Sequence, residues 1–155
     1  MVEIFDNFFE EEVHKNIFSY CQKASYTYGE VDYPWTPPVG MISGINSTDY
    51  LFKLFEDKKI DSLSEYKPYR MYINCFAPNE NPFFHKDGDS GFTVLYYPNL
   101  DWDVNEQGET QFLINQEIRC ILPIPNRLVK FDATLLHRAT CFRTKHRFTV
   151  AIKYN

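Results

Sequence analysis

Within Phe83-Phe84-His85-Lys86-Asp87-Gly88-Asp89, His85 and Asp87 place an imidazole and a carboxylate two positions apart. In an extended chain, residues i and i+2 project to the same side, so the two can face one ion while Lys86 points away. A second imidazole from a distant strand would complete a two-histidine, one-carboxylate face. That donor set leaves coordination positions open and is the set used by oxygen-activating Fe(II) centres. The chain has four histidines. His14 sits on an acidic stretch that reads as a surface helix, and His146 precedes Arg147 in a basic turn that reads as exposed. His137 follows an apolar run ending at Phe131 and is the best third ligand. Taken alone, this spacing carries little weight, and its context has to add the rest.

Arg147 opens the run Arg147-Phe148-Thr149-Val150-Ala151-Ile152. Strand alternation puts Arg147, Thr149 and Ala151 on one face and the larger apolar set on the other. The apolar set belongs between layers, which turns Arg147 toward the inside of a barrel. A buried guanidinium there is costly unless an anion neutralises it. A dicarboxylate fits, with one carboxylate in the guanidinium fork and the other end free to chelate a metal. The plain alternative is a solvent-facing arginine on an edge strand. Two further strands offer polar faces: Arg70, Tyr72, Asn74 and Phe76 in one, Thr93, Leu95 and Tyr97 in the other. Tyrosine hydroxyls are good carboxylate donors, although core tyrosines bonded to backbone carbonyls would look the same in sequence.

The elements that must carry these residues are readable from pattern. Val2–Phe5 reads as a short strand, followed by a helix from about Phe9 to Ala24 with Val13, Ile17, Tyr20/Cys21 and Ala24 on one face. Tyr28–Gly44, with Tyr33-Pro34-Trp35-Thr36-Pro37-Pro38, reads as a long aromatic loop of the kind that forms lids. Ser47 or Thr48 opens a second helix burying Leu51 and Leu54/Phe55, with Ile60 and Leu63 beyond. After Pro68 the texture changes to strands near 69–76, 92–97, 109–114, 117–122, 127–131 and 147–154, separated by turn residues. This predicts a single α+β domain over 1–155, with a helical part to about 66 and a β-barrel core from about 67. The architecture expected is a jelly roll with two helices against its outside.

Composition narrows the classes further. Aromatic residues reach 17%, which favours pleated β surfaces over disorder. The four cysteines form no C-x-x-C pair and read as free, mostly buried thiols of a reducing, cytoplasmic setting. No secretory leader is expected from the first residues, and no stretch approaches the roughly 20 apolar residues of a membrane span. The net charge of −5 counts against general nucleic-acid binding. Residues 115–155, however, carry eight Lys/Arg against only Glu117 and Asp132, a local balance suited to a small anion.

Together these residues resemble the 2-oxoglutarate/Fe(II) dioxygenases, most closely their prolyl-hydroxylase-like branch. The resemblance runs from about Arg70 to Tyr154. It comprises His85-x-Asp87, Tyr96-Tyr97-x-Asn99-x-x-Trp102, Gly108-Glu109, Arg127-Leu128-Val129-x-Phe131, His137, and Arg147-x-Thr149. It implies a double-stranded β-helix with Fe(II) held by His85, Asp87 and His137 at its open end. It also implies that Arg147, Thr149 and Tyr97 hold the distal carboxylate of 2-oxoglutarate, with Tyr72 and Asn74 as further contacts. Asn74-Cys75-Phe76-Ala77-Pro78 is similar to an Asn-x-Tyr-Ala-Pro strand of the family, but Phe76 lacks the hydroxyl. Asp87 at the carboxylate position implies hydroxylation rather than halogenation. The implied reaction consumes O2 and 2-oxoglutarate and releases succinate and CO2, with room for ascorbate as reductant.

By analogy the substrate is a peptidyl proline, and amino acids, sugars or other small metabolites are the alternative. Specificity is expected in Tyr28–Gly44 and in the acidic loop Asn99–Gly108, with Trp102 as a packing residue. A nucleic-acid demethylase fits the charge poorly. A cupin-like metal-binding module without catalysis, or a zinc hydrolase, would explain the ligands but leave Arg147 and the Tyr97 strand without a purpose.

Overall fold

The structure, a computed structural model, describes residues 1–155. In chain order it contains β1 (Val2–Phe5), α1 (Glu11–Lys23), β2 (Thr27–Tyr28), β3 (Met41–Gly44), α2 (Tyr50–Asp57) and β4 (Pro68–Phe76). There follow β5 (Phe92–Tyr97), β6 (Thr110–Ile114), β7 (Glu117–Ile121), β8 (Arg127–Asp132), β9 (His137–Ala139) and β10 (Arg147–Tyr154). Seven strands form an antiparallel sheet in the order β1-β8-β5-β10-β4-β3-β2, and three form a second sheet in the order β7-β6-β9. The chain is thus α+β, with two antiparallel sheets and two helices, as the texture change after Pro68 predicts.

Alternation along the large sheet divides its two faces. Met71, Ile73, Val94, Tyr96, Leu128, Val150 and Ile152 share one core with Ile17 and Cys21 of α1 and Leu51 and Phe55 of α2. The helices therefore cover the outer face. On the inner face Tyr72, Leu95, Tyr97, Val129, Phe131 and Ala151 meet Phe112 of the small sheet. Phe148, Val150 and Ile152 thus face the helices, and Arg147, Thr149, Ala151 and Lys153 face inward.

Two local expectations need correction. His14 is not a surface residue: it is buried, with Nδ1 2.5 Å from the Tyr96 hydroxyl. Residues 14, 17 and 21 recur at helical spacing, so this imidazole falls on the buried stripe of an otherwise acidic helix. Tyr28–Gly44 is also not loop throughout. Its ends pair as β2 and β3, and β3 lies along β4 with Met41 opposite Cys75 and Gly44 opposite Tyr72. Pro34, Pro37 and Pro38 confine the irregular part to the residues between. His146 is exposed as expected, all four cysteines are free with only Cys120 exposed, and Trp102 donates to the Gln107 carbonyl at 2.8 Å, as a packing residue would. No helix is long and apolar enough to cross a membrane.

Candidate metal centre

The segment carrying His85 lies alongside the segment carrying His137. The His85 N–H donates to the His137 carbonyl and the His137 N–H to the His85 carbonyl, both at 2.9 Å. This antiparallel bridge sets the two imidazoles side by side, with ring centroids 4.7 Å apart. Asp87 is fixed by its own N–H, which donates to the Ala133 carbonyl at 2.9 Å. Ligand atoms of His85, Asp87 and His137 all fall within 4.8 Å of one another. The structure thus brings together three residues spread over fifty-odd positions of sequence.

The orientation of both rings suits a divalent ion. His85 Nδ1 lies 2.9 Å from the Phe83 carbonyl, and His137 Nδ1 lies 2.9 Å from the Leu135 carbonyl. A proton on each Nδ1 satisfies those carbonyls and leaves each Nε2 lone pair facing Asp87, the tautomer a metal requires. His85 Nε2 is 3.7 Å from Asp87 Oδ1, and His137 Nε2 is 3.3 Å from Oδ2. Two imidazole nitrogens and one carboxylate at an open cavity fit Fe(II) and comparable divalent ions.

Three side chains that the sequence reading did not assign to the metal complete the surroundings. Asp32, from the aromatic segment, accepts the Phe83 N–H at 2.7 Å and places Oδ1 3.0 Å from His85 Nδ1. Burial disfavours a charged His85, but Asp32, the Phe83 carbonyl and Asp87 together outweigh it and raise the pKa of the ring. Thr93 donates to Asp87 Oδ2 at 2.6 Å, and the buried Lys153 ammonium pairs with the same oxygen. Burial alone would raise the Asp87 carboxyl. His137 and Lys153 overcome this and hold it well below the usual carboxylate range. Burial likewise pulls the Lys153 amine down, with Asp87 opposing. Lys86, though exposed, reaches the mouth instead of pointing wholly away.

The trio opens into a cavity of about 300 Å³ whose wall includes Arg147, Thr149, Tyr72 and Asn74. Register explains the grouping, since β10 pairs with β4 so that Arg147 meets Phe76, Thr149 meets Asn74, and Lys153 meets Arg70. Arg147 is 1% exposed, donating through Nε to the Gly108 carbonyl at 2.8 Å and through a terminal nitrogen to Thr110 Oγ1 at 3.1 Å. It makes no ion pair, although Glu109 is near enough to influence it; the Glu109 carboxylate accepts from Thr140 instead. Tyr97 stands behind the wall. Its ring underlies the guanidinium at 5.5 Å and its hydroxyl bonds Thr110 at 2.7 Å, so it supports Arg147 rather than lining the cavity. Phe76 lines the cavity as an apolar surface.

No family model matches the sequence, and no curated protein matches it either. Solved structures do. A prolyl-4-hydroxylase from Pseudomonas putida superposes with a TM-score of 0.82 at 12% identity, over 99% of this chain and 92% of that one. A prolyl hydroxylase from Trichoplax adhaerens, in complex with a hypoxia inducible factor oxygen degradation domain peptide fragment, gives 0.71 at 16% identity, over 99% and 82%. HygX from Streptomyces hygroscopicus, with nickel, 2-oxoglutarate and hygromycin B bound, gives 0.77 at 9% identity, over 99% and 82%. At such identities the likeness is one of fold, and what the cavity does must come from its own residues.

Proposed function

We propose that this chain is a single-domain Fe(II)- and 2-oxoglutarate-dependent hydroxylase on a double-stranded β-helix. The observation that carries the reading is a pair of features in one cavity. One is a two-histidine, one-carboxylate trio with its nitrogens correctly presented; the other is a fully buried arginine with no acidic partner. A buried cation without a counter-ion is expensive, and a dicarboxylate reaching from Arg147 toward the trio offsets that cost. Structures of this fold bind nickel and 2-oxoglutarate, which supports the same cosubstrate here.

In this reading His85, Asp87 and His137 hold the metal, and the bound metal supplies the activation of O2 and of the 2-oxo acid. Phe83 and Leu135 carbonyls accept from each Nδ1 and so turn both Nε2 atoms toward the metal position. Thr93 and Lys153 restrain Asp87 so that its carboxylate does not rotate out of the site. Arg147 receives the distal carboxylate, oriented by Gly108 and Thr110 and backed by Tyr97, with Thr149 and Asn74 beside it. Positioning of this kind supplies much of the rate that a protein adds to cofactor chemistry. The products are succinate, CO2 and a hydroxylated substrate.

Two substrate classes have support. A peptidyl proline is favoured by prolyl hydroxylases of the same fold, one of them holding a peptide. A small metabolite is favoured by HygX, which holds hygromycin B. The deciding experiment is succinate formation from 2-oxoglutarate by anaerobically Fe(II)-loaded protein on admission of air. Absence of turnover, together with no 2-oxoglutarate-dependent thermal shift, would leave a metal-binding module without catalysis as the better description.

A further inference from the structure

Lys153 lies six residues beyond Arg147 on the same inward face of β10, roughly 20 Å along the strand at about 3.3 Å per residue. Its contact with Asp87 sets it against the metal trio, in the cavity that Arg147 also lines. If Arg147 anchors the cosubstrate at one end of β10, Lys153 is left at the other, on the cavity wall with Tyr69, Arg70 and Lys86. Its neighbour across the ladder is another cation, Arg70. Like charges directly opposite one another on adjacent strands are destabilising. The Tyr72 ring sits against both, 4.3 Å from the Arg70 guanidinium carbon and 5.8 Å from Lys153 Nζ.

Within the protein each of these two cations has one acid. Arg70 pairs with Glu30 at 3.0 Å, and Lys153 pairs with Asp87. Besides Arg147, the cavity wall carries Arg70, Lys86 and Lys153 against Glu30, Asp32 and Asp87, which balance. A divalent cation and a dicarboxylate cancel each other, so the loaded cavity, with Arg147 counted, keeps one positive charge in excess. The redistribution matters more than the sum. Once Asp87 serves a dication, Lys153 shares its only acid with a stronger competitor while remaining 5% exposed. A buried ammonium in that position needs an anion, and one negative charge restores neutrality.

We infer that the substrate carries a carboxylate, received by Lys153 with Arg70 and the Tyr72 hydroxyl, so that these residues determine which molecules are hydroxylated. The charge count favours a monoanion over a phosphate dianion. The inference rests on the hydroxylase reading, and it concerns the substrate side of that same cavity. The carboxylate can belong to a free small acid or to a peptide.

The test uses the full chain loaded with Fe(II) and 2-oxoglutarate. It is incubated separately with the small-molecule fraction and the peptide fraction of a cell extract, each as free acids and after methyl esterification. Products gaining 16 Da are sorted by fraction and by charge. The expected result is a carboxylate-bearing product that esterification removes, and its fraction identifies the source. For that compound and its amide, wild-type protein should favour the free acid in kcat/KM by roughly ten- to a hundredfold, the range for a charge-assisted hydrogen bond. Lys153→Met should erase most of that preference. Arg70→Gln, at a half-exposed position that folding tolerates, should reduce it too. A product lacking any carboxylate, or an acid-to-amide preference untouched by both variants, overturns the inference while the hydroxylase reading stands. No consumption of 2-oxoglutarate with any fraction sinks both, and that failure is recognisable by the missing succinate.

Discussion

Replacing Arg147 with methionine tests the cosubstrate assignment through two effects of opposite sign. The guanidinium is fully buried, and its protein partners are a carbonyl and a hydroxyl, with no carboxylate. Without ligand it is therefore an under-compensated charge, and an apolar side chain of similar length should leave stability unchanged or raise it. With 2-oxoglutarate the sign reverses. Its distal carboxylate would enter a buried site with Thr110, Thr149 and Asn74 as polar neighbours but no counter-ion. Removing one partner of a buried ion pair costs about 3–5 kcal/mol, or roughly a hundredfold to a few thousandfold in affinity. The assays are urea denaturation of the metal-free protein and calorimetric titration of the Ni(II)-loaded protein with 2-oxoglutarate. Metal affinity should hold, because Arg147 touches none of the three ligands. Unchanged cosubstrate affinity in Arg147→Met would refute the assignment, and a large loss of metal-free stability would refute the claim that the charge lacks compensation.

His137→Ala should abolish metal-dependent succinate formation and weaken Ni(II) binding strongly, and retention of both would remove His137 from the ligand set. Asp32→Asn should weaken metal binding by roughly ten- to a hundredfold, the usual effect of losing a ligand's outer partner, and hydrogen exchange in residues 29–40 should accelerate as the contact to His85 is lost. An unaltered metal isotherm would show Asp32 to be a loop residue only. Burial holds the His14 ring below its ordinary pKa, so below about pH 6.5 the unfolded chain binds the extra proton and folding weakens as pH falls, with the full contribution present above that value. Urea unfolding of metal-free protein at pH 7.5 and 5.5 should show a smaller difference for His14→Gln than for wild type; an equal difference would mean that His14 takes up its proton without cost.

Legibility in sequence followed how local each signal was. The inner and outer faces of β10 and β4 came directly from alternation, and with them Arg147, Thr149, Tyr72 and Asn74. His85 and Asp87 were a local pair, and His137 emerged because histidines are scarce. Lys153 carried a readable signal, since continuing the alternation of Arg147, Thr149 and Ala151 reaches it, but nothing local announced its contact with Asp87. His14 was similar, because its spacing to Ile17 and Cys21 outweighed the acidic residues around it. Asp32 had no such signal. Its role depends on how a proline-rich segment returns over Phe83, a long-range contact set by the β3–β4 register and by no pattern in its own neighbourhood. Tyr97 shows the converse limit: alternation gave its face correctly, yet not that Arg147 and Thr110 would stand between it and the cavity.

Because both inward cations lie on one uninterrupted strand, β10 works as a graduated ruler. The chemistry of either mark can be altered by substitution, but the distance between them cannot drift by a fraction. One residue inserted between Arg147 and Lys153 would turn whichever mark lay past the insertion toward the helices and bring apolar side chains to face the metal. Variation in this chain should therefore tolerate exchanges of side chain within β10 far more readily than any change in its length, and deep insertion scanning should find no survivor at the six peptide junctions from Arg147 to Lys153.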